Sequence, residues 1–514
     1  MNVSIQSSPH PTRDRYDVVV VGGGMAGLTA GALLACNGLQ VLVVDANDKP
    51  GGVCRTLEAS GYAIDLGVHL VSGCNRGGPF GPGTVFSILE RLGVSDQCEL
   101  IQVDPFYTAR LPGQSLVVPA GLEPYVDAYS AAFPAERKGF KSLVDLQADI
   151  LREWLTFPIT PSLTDWLSMP FTYPKLFRHR RTTMAETISR YIRDPKARAL
   201  YAAIWPYPGL PPAQASFLVW AIGMASYVEE GAYYCRGGFQ RLANAVAMGL
   251  VSHGGDIVLE RRVERILVRN NMVEGVILDG AEQVRADTVV AAGDARETFG
   301  KLIPSDDLPR SWSQRTRDGK ASLSILSLYL GTDLDIESLG ISKENIVQQS
   351  WDLDANWDEA LSGGVTGMSV WVPTLGDPSI APADRHQVAI LIAGPPEFPD
   401  VDRSQITEQM VYGAEQVIPN LGRHITFAYG ADKSSLKPSE VPLNKIDAAY
   451  GWAASPQQSG PLRLPATTPI RGLYLAGHWT QPGHGIRGVM VSGLRAARLI
   501  LGRDTNLGIQ PLGL

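Results

Sequence analysis

Cysteine is scarce in this 514-residue chain, with five in all (Cys36, Cys54, Cys74, Cys98, Cys235). Their number is odd and no CxxC pair occurs, which argues against a disulfide framework or a structural zinc site. No metal centre is expected, and a reducing, cytoplasmic setting is the default. A basic surplus is also missing. The formal net charge of -7 excludes the usual profile of a nucleic-acid binder. No uninterrupted apolar run reaches the roughly 20 residues of a membrane-crossing helix. The nearest approach, residues 215–228, is closed by Glu229 and Glu230 and suits a buried or interfacial helix. Residues 1–15 are polar, lack the apolar stretch of a secretion signal and read as a disordered lead-in. What remains is ordinary for a globular protein: hydrophobic residues are 45% and charged residues 19%. The length favours two or three domains with a large core.

The chain opens as strand, turn, helix, strand. Residues 16–21 form a β-branched run fit for a buried parallel strand. Residues 25–37 are rich in Ala and Leu, and Gly38 follows where a helix end favours a left-handed residue. Residues 41–44 are the second strand, with Asp45 at its end. Further strands are expected at 256–259, 263–268, 272–278, 288–291, 322–330, 387–392 and 473–475, and a last helix at 489–501. Between about 111 and 230 proline is frequent and aromatics cluster. Together these patterns predict an α/β fold: a Rossmann-type dinucleotide-binding domain (residues 16–110, 231–303 and 455–514) interleaved with a mixed α+β substrate domain (111–230 and 304–454).

The turn Gly22-Gly23-Gly24-Met25-Ala26-Gly27 carries the first functional signal. Gly22 permits the tight turn, Gly24 lets backbone approach a pyrophosphate, and Gly27 lets the helix pack on the sheet. The helix N-terminus offers N–H groups and partial positive charge to a diphosphate. Asp45, followed by Ala46, is placed to accept hydrogen bonds from ribose hydroxyls. A lone GxGxxG is weak, but strand, helix and acid stand in order here. Next come Pro50-Gly51-Gly52-Val53-Cys54-Arg55-Thr56 and Gly61-Tyr62-Ala63-Ile64-Asp65-Leu66-Gly67-Val68-His69, which suit a cofactor continuing past the pyrophosphate. Near the C-terminus, Gly477-His478 leads into Pro482-Gly483-His484-Gly485-Ile486-Arg487-Gly488-Val489-Met490. This places a second helix N-terminus to face the pyrimidine edge of a flavin.

These residues resemble the phytoene desaturase and carotenoid cis–trans isomerase group, which shares its flavin fold with amine oxidases. The likeness spans most of the chain. It includes Trp205-Pro206-Tyr207-Pro208-Gly209-Leu210-Pro211-Pro212, Tyr233-Tyr234-Cys235-Arg236-Gly237-Gly238, Ala291-Ala292-Gly293-Asp294-Ala295 and Ser492-Gly493-Leu494-Arg495-Ala496-Ala497. The resemblance implies non-covalent FAD held at Gly22, Gly24, Gly27, Asp45, Gly52, Arg55, Val263 (through its backbone), Gly477, Gly488 and Val489. Met25, Ala26, Ala46, Val53, Gly67, Val68, His69, Ala292, Gly293, His478 and Met490 complete the expected lining. Many relatives carry an acid after the glycine at the Gly477 position; His478 stands here. No second strand–GxGxxG–helix unit appears, so no separate nicotinamide domain is expected.

The implied substrate is a long, hydrophobic polyene or isoprenoid, undergoing desaturation, isomerisation or saturation. Candidate acids or bases are His69, Glu229, Glu230 and His484, each with a bland alternative as a hydrogen-bonded or capping residue. The segment from Trp154 to Phe177, with Lys175, Arg178, His179, Arg180 and Arg181 at its end, reads either as a tunnel mouth resting on anionic lipid or as a helix pair with a solvated basic end. Two other functions remain in competition. One is amine oxidation, which needs an aromatic cage at the flavin. The other is a non-catalytic escort of prenylated proteins on the same scaffold.

Overall fold

The computed structural model describes residues 8–78, 81–304, 308–396, 403–430, 442–502, 507 and 509. Two sheets organise them. The first runs in the order Val263–Arg269, Met272–Leu278, Gln283–Ala291, Arg15–Val21, Val41–Val44, Asp256–Val258, and Leu473–Leu475 also pairs with Gln283–Ala291. Its central strands are parallel, with Val18 opposite Val41 on one side and Thr288 on the other. Val18, Val19 and Val20 are fully buried, as expected of a strand covered on both faces.

The strand Gln283–Ala291 is longer than the apolar run at 288–291 that announces it. Its first residues alternate exposed and buried while its last three are all buried. The alternating part pairs antiparallel with residues 275–277, and the buried part pairs parallel with Leu473–Leu475. On the edge away from Arg15–Val21 one strand thus serves two neighbours, and each half carries the pattern its surroundings require.

The helix Met25–Cys36 packs against the last helix, Ile486–Leu501. A Cβ at Gly493 would lie 2.4 Å from the Ala26 carbonyl oxygen, so this crossing needs glycine. The last helix begins three residues before the expected 489, directly after Gly485. The expected disordered lead-in is corrected in part. The Ser8 amide donates to the Ile257 carbonyl at 3.2 Å and the Thr12 amide to the Tyr16 hydroxyl at 3.0 Å. Residues 8–14 are therefore laced to the sheet edge and Arg15 is already strand, because backbone pairing outweighs their polar composition. Residues 1–7 lie outside the described residues.

The second sheet runs Ile425–Ala428, Ser324–Thr332, His386–Gly394, Gly367–Trp371, Glu344–Gln348, Tyr107–Leu111, Gln114–Val118, with Asn444–Ile446 also on Ser324–Thr332. A boundary at residue 110 would cut the strand Tyr107–Leu111, whose hairpin with Gln114–Val118 belongs wholly to this sheet. Helices between residues 122 and 225 form the remaining layer. The apolar stretch at 215–228 becomes the helix Phe217–Ala225, continued by a wider π-turn at Ser226–Glu230. Trp220 and Phe217 bury its inner face. No helix among the described residues is long and apolar enough to cross a membrane.

Candidate functional site

Four segments distant in sequence meet at the N-terminus of Met25–Cys36. Gly22 has φ +106°, a conformation that side chains strain to adopt, and its amide donates to the Val44 carbonyl at 2.9 Å. A Cβ at Gly27 would sit 2.0 Å from the Gly22 carbonyl oxygen, so Gly27 closes the turn against the sheet. Gly24 behaves oppositely: a Cβ there meets nothing within 4 Å. This is the open side, where the first helical turn presents amides without intrahelical partners. The Gly51 amide donates to the Gly23 carbonyl at 2.7 Å, laying residues 51–55 beside the turn. Ala292 and Gly293 flank Gly22, and the Cβ position of Gly477 lies 3.6 Å from the Ala292 carbonyl oxygen.

Asp45 is 7% exposed and already oriented. Its Oδ2 accepts from the Gly23 amide at 2.6 Å, and its Oδ1 from the Asn47 amide at 2.8 Å and side chain at 2.6 Å. The Arg261 amide donates to the Asp45 carbonyl at 3.1 Å, bringing the start of Val263–Arg269 alongside. Arg55 turns back, with Nε donating to the Gly52 carbonyl at 3.1 Å. Gly67 packs on Val53, whose Cβ is 3.2 Å from the Gly67 Cβ position. The open Gly24 and Gly293, the oriented carboxylate and the helix terminus fit a dinucleotide.

At the other end, the Gly477 amide donates to Ser492 Oγ at 3.0 Å, fixing the C-terminal turn on the last helix. Gly488 and Val489 lie in that helix's first turn, but Met490 is fully buried and its side chain belongs to the core. His478, standing where relatives carry an acid, is held neutral: burial, with help from the Arg463 guanidinium, pushes its pKa down to about 4. Ala46 and Val53 are exposed and bring no polar group to the cradle.

Beyond this cradle lies a small recess whose lining includes Val68, His69, Tyr329, Trp371, Ala389 and Leu391. Asp65, at its edge, is engaged by Thr56 Oγ1 at 2.5 Å, the Phe239 amide at 2.8 Å and the Tyr234 hydroxyl at 3.0 Å. The His69 ring lies 5.8 Å from both Tyr207 and Trp371, centroid to centroid. Tyr207 in turn meets Phe106 and Tyr227 edge-on. The surroundings are largely aromatic and apolar.

The four candidate acids and bases separate. His69 Nε2 is 3.1 Å from the Tyr207 hydroxyl, and burial pushes its pKa down to about 4. His484 is 3.1 Å from the Tyr207 carbonyl and stacks on Tyr450 at 4.4 Å; burial pushes it down to about 3. Tyr207 therefore links the two histidines. Glu230 is taken by Arg487 and does not join them. Glu229 keeps a buried oxygen without a hydrogen-bond partner among the described residues, and burial raises its pKa. Sequence reasoning missed Glu344 and Arg463. Arg463 is 2% exposed and donates to the Tyr450 and His478 carbonyls, tying the two loops beside His484. Neither residue stands in a glycine motif or an acid–base spacing that marks it.

The family model described as flavin containing amine oxidoreductase matches residues 25–501, nearly the whole chain. The chain belongs to this family. It is an FAD-dependent oxidoreductase, as the glycine turn and the ribose acid anticipate. Among curated relatives, it is 25% identical over 513 residues to prolycopene isomerase 2, chloroplastic, of an Oncidium hybrid cultivar, covering 95% of this chain and 84% of that protein. It is 27% identical over 516 residues to the zeta-carotene-forming phytoene desaturase of Myxococcus xanthus, covering 95% and 93%. A solved structure of putrescine oxidase with bound putrescine superposes with a TM-score of 0.62 at 16% identity, covering 95% of this chain and 99% of that one. That likeness establishes a shared fold for this family member.

Proposed function

We propose that this flavoenzyme acts on carbon–carbon bonds of a hydrophobic polyene or isoprenoid, by desaturation, cis–trans isomerisation or saturation. The observation that carries the proposal is the near full-length similarity to carotenoid isomerases and desaturases. The aromatic recess beside His69 supports it. Bound FAD supplies hydride or electron-pair exchange with the substrate. In this proposal Gly22, Gly24, Gly27, Asp45 and Arg55 hold its adenosine and diphosphate. Gly477, Gly488 and Val489 hold its flavin end, and Val68 and His69 face the substrate. The division of labour follows the two sheets, the first carrying the cofactor and the second, with the helical layer, the substrate.

A membrane-surface role extends the same proposal. On the helix Leu163–Thr172, Leu163, Leu167 and Phe171 are 74%, 68% and 86% exposed and recur every four residues, giving one apolar face. Trp166 and Met169 turn inward, Trp166 against Phe157 at 5.1 Å. The expected basic rim is smaller than its sequence: His179 is 5% exposed and Lys175 is paired with Asp149 at 2.6 Å. Arg178 and Arg181 remain exposed. Insertion of this face into a lipid surface would let a lipid-soluble substrate enter without crossing water.

Amine oxidation is the second reading, favoured by the clustering of Tyr207, Tyr227 and Trp371 near the recess. Incubation with a panel of amines under oxygen separates the two. Peroxide release with an amine, and no change in any polyene, replaces the proposal; silence with amines and altered polyene spectra uphold it.

A further inference from the structure

Glu344 opens the strand Glu344–Gln348 and is fully buried opposite Trp371. Its Oε1 accepts from the Ser369 hydroxyl at 2.6 Å. Its Oε2 has no hydrogen-bond partner among the described residues and lies 3.5 Å from His69 Nε2. The same ring nitrogen faces the Tyr207 hydroxyl at 3.1 Å. A carboxylate buried in this way, with no cation among the described residues within ion-pair distance except a protonated His69, is costly, and so is a buried imidazolium. Burial pushes Glu344 up to about 8 and His69 down to about 4. The pair is therefore neutral near pH 7, with the carboxyl carrying the proton. Nε2, with the Tyr207 hydroxyl at 3.1 Å and the protonated carboxyl at 3.5 Å, is assigned as the acceptor and the ring proton to Nδ1. Burial raises the Tyr207 hydroxyl well above its ordinary range, so the carboxyl is the group able to release a proton.

We infer that Glu344 is a positioning residue that holds a proton for His69 and makes the imidazole the acid–base group of the recess. In the forward step the ring gives its Nδ1 proton to a substrate carbon: that N–H bond breaks and a C–H bond forms. Glu344 replaces it at Nε2, its O–H bond breaking, which leaves a carboxylate and a neutral ring. Isomerisation returns the proton after bond rotation, with no net redox change. Saturation keeps it, and the companion hydride comes from the reduced flavin. The identity of the proton acceptor rests on the polyene reading; the protonated carboxyl does not.

Other titratable groups bracket the pair. Tyr107 and Arg110 lie on the neighbouring parallel strand, Arg110 donating to Asn345 at 3.1 Å. Asp65 and Tyr329 line the recess, and Tyr207, Tyr227 and Tyr450 close the aromatic side. Burial moves Asp65 up to about 6 and the tyrosines upward, so Glu344 is the group that titrates near pH 8.

The test uses the FAD-loaded enzyme. Infrared difference spectra on flavin reduction at pH 7 should contain a protonated-carboxyl band that Glu344→Gln removes. With a polyene substrate, Glu344→Gln should lower kcat on the order of a hundredfold, with KM nearly unchanged. The wild type should show an alkaline limb near pH 8, and Glu344→Gln should abolish it. Ser369→Ala removes the hydrogen bond that favours the charged carboxylate and should move that limb to higher pH, a readout available even if Glu344→Gln does not fold. Absence of the carboxyl band, or an unmoved limb in Ser369→Ala, overturns the inference. A wild type that converts no polyene, oxidised or reduced, removes the polyene reading instead, and the infrared band then decides the role of Glu344 alone.

Discussion

Arg487, the second residue of the last helix, closes on Glu230, the last residue of the π-turn, with its Nη2 3.2 Å from Oε1. The side chains are 11% and 6% exposed, and Arg487 Nη1 also donates to Ser226 at 2.7 Å. The pair binds the helical layer to the helix whose first turn holds Gly488 and Val489. Glu230→Ala or Arg487→Met strands one buried charge and should cost about 3–5 kcal/mol. The double replacement should cost less than the sum of the two singles. Urea unfolding of all three variants measures this.

The cradle separates glycines that pack from glycines that leave room. Gly27→Ala puts a methyl into the Gly22 carbonyl and should destabilise the protein. Gly24→Val adds atoms that begin in open space. It should leave the fold intact while preventing FAD from seating. Asp45→Ala removes an acceptor held by Gly23 and Asn47 and should weaken FAD binding by about ten- to a hundredfold, the range for a charged hydrogen bond. Titration of the flavin-free protein with FAD, alongside circular dichroism, distinguishes these outcomes.

The first of those sites was legible in sequence because its chemistry is local. Gly22, Gly24, Gly27 and Asp45 stand within one strand–helix–strand unit, and each glycine has a steric reason. Glu344 was not legible. It meets His69 because the register of two strands sets it opposite Trp371, and nothing in Glu344-Asn345-Ile346-Val347-Gln348 reports that pairing. Residues 8–14 were misread for a related reason, since their polar composition hides the backbone bonds of Ser8 to Ile257 and of Arg285 to Asp14, far along the chain. The end of the strand at Gln283 was missed because an alternating half and an apolar half share one element.

Stability should narrow from both ends of the pH scale. Burial holds His69, His478 and His484 below the ordinary histidine range. Their folded pKa values are depressed, so the unfolded chain takes up protons first. The stability they contribute is full above about pH 6.5 and is lost as pH falls toward 4. Glu344 is raised, so its contribution is full below about pH 4.5 and is lost as pH rises through about 8. Thermal unfolding from pH 4 to 9 should show both slopes, and Glu344→Gln should flatten the alkaline one and steepen the acid one, because the two windows overlap between about pH 4.5 and 6.5.

The apolar face of Leu163–Thr172 makes a separate prediction. The combined change Leu163→Ser, Leu167→Ser and Phe171→Ser removes three exposed side chains without touching the inward Trp166 and Met169. Binding to anionic vesicles in a flotation assay should fall on the order of tenfold or more, at roughly 1.5–3 kcal/mol for each large apolar side chain that is fully buried. Conversion of a detergent-dispersed substrate should be unchanged. Equal vesicle binding by the wild type and the variant would remove the membrane role.

Polyene chemistry itself is tested most directly by anaerobic incubation with cis and all-trans polyenes, using oxidised and then pre-reduced enzyme, with product mass and double-bond geometry read together. A loss of two hydrogens with oxidised enzyme identifies a desaturase. Altered geometry at constant mass with reduced enzyme identifies an isomerase, and a gain of two hydrogens a saturase. One of these three is expected. Unchanged polyenes under both conditions, from protein that carries FAD, would contradict it.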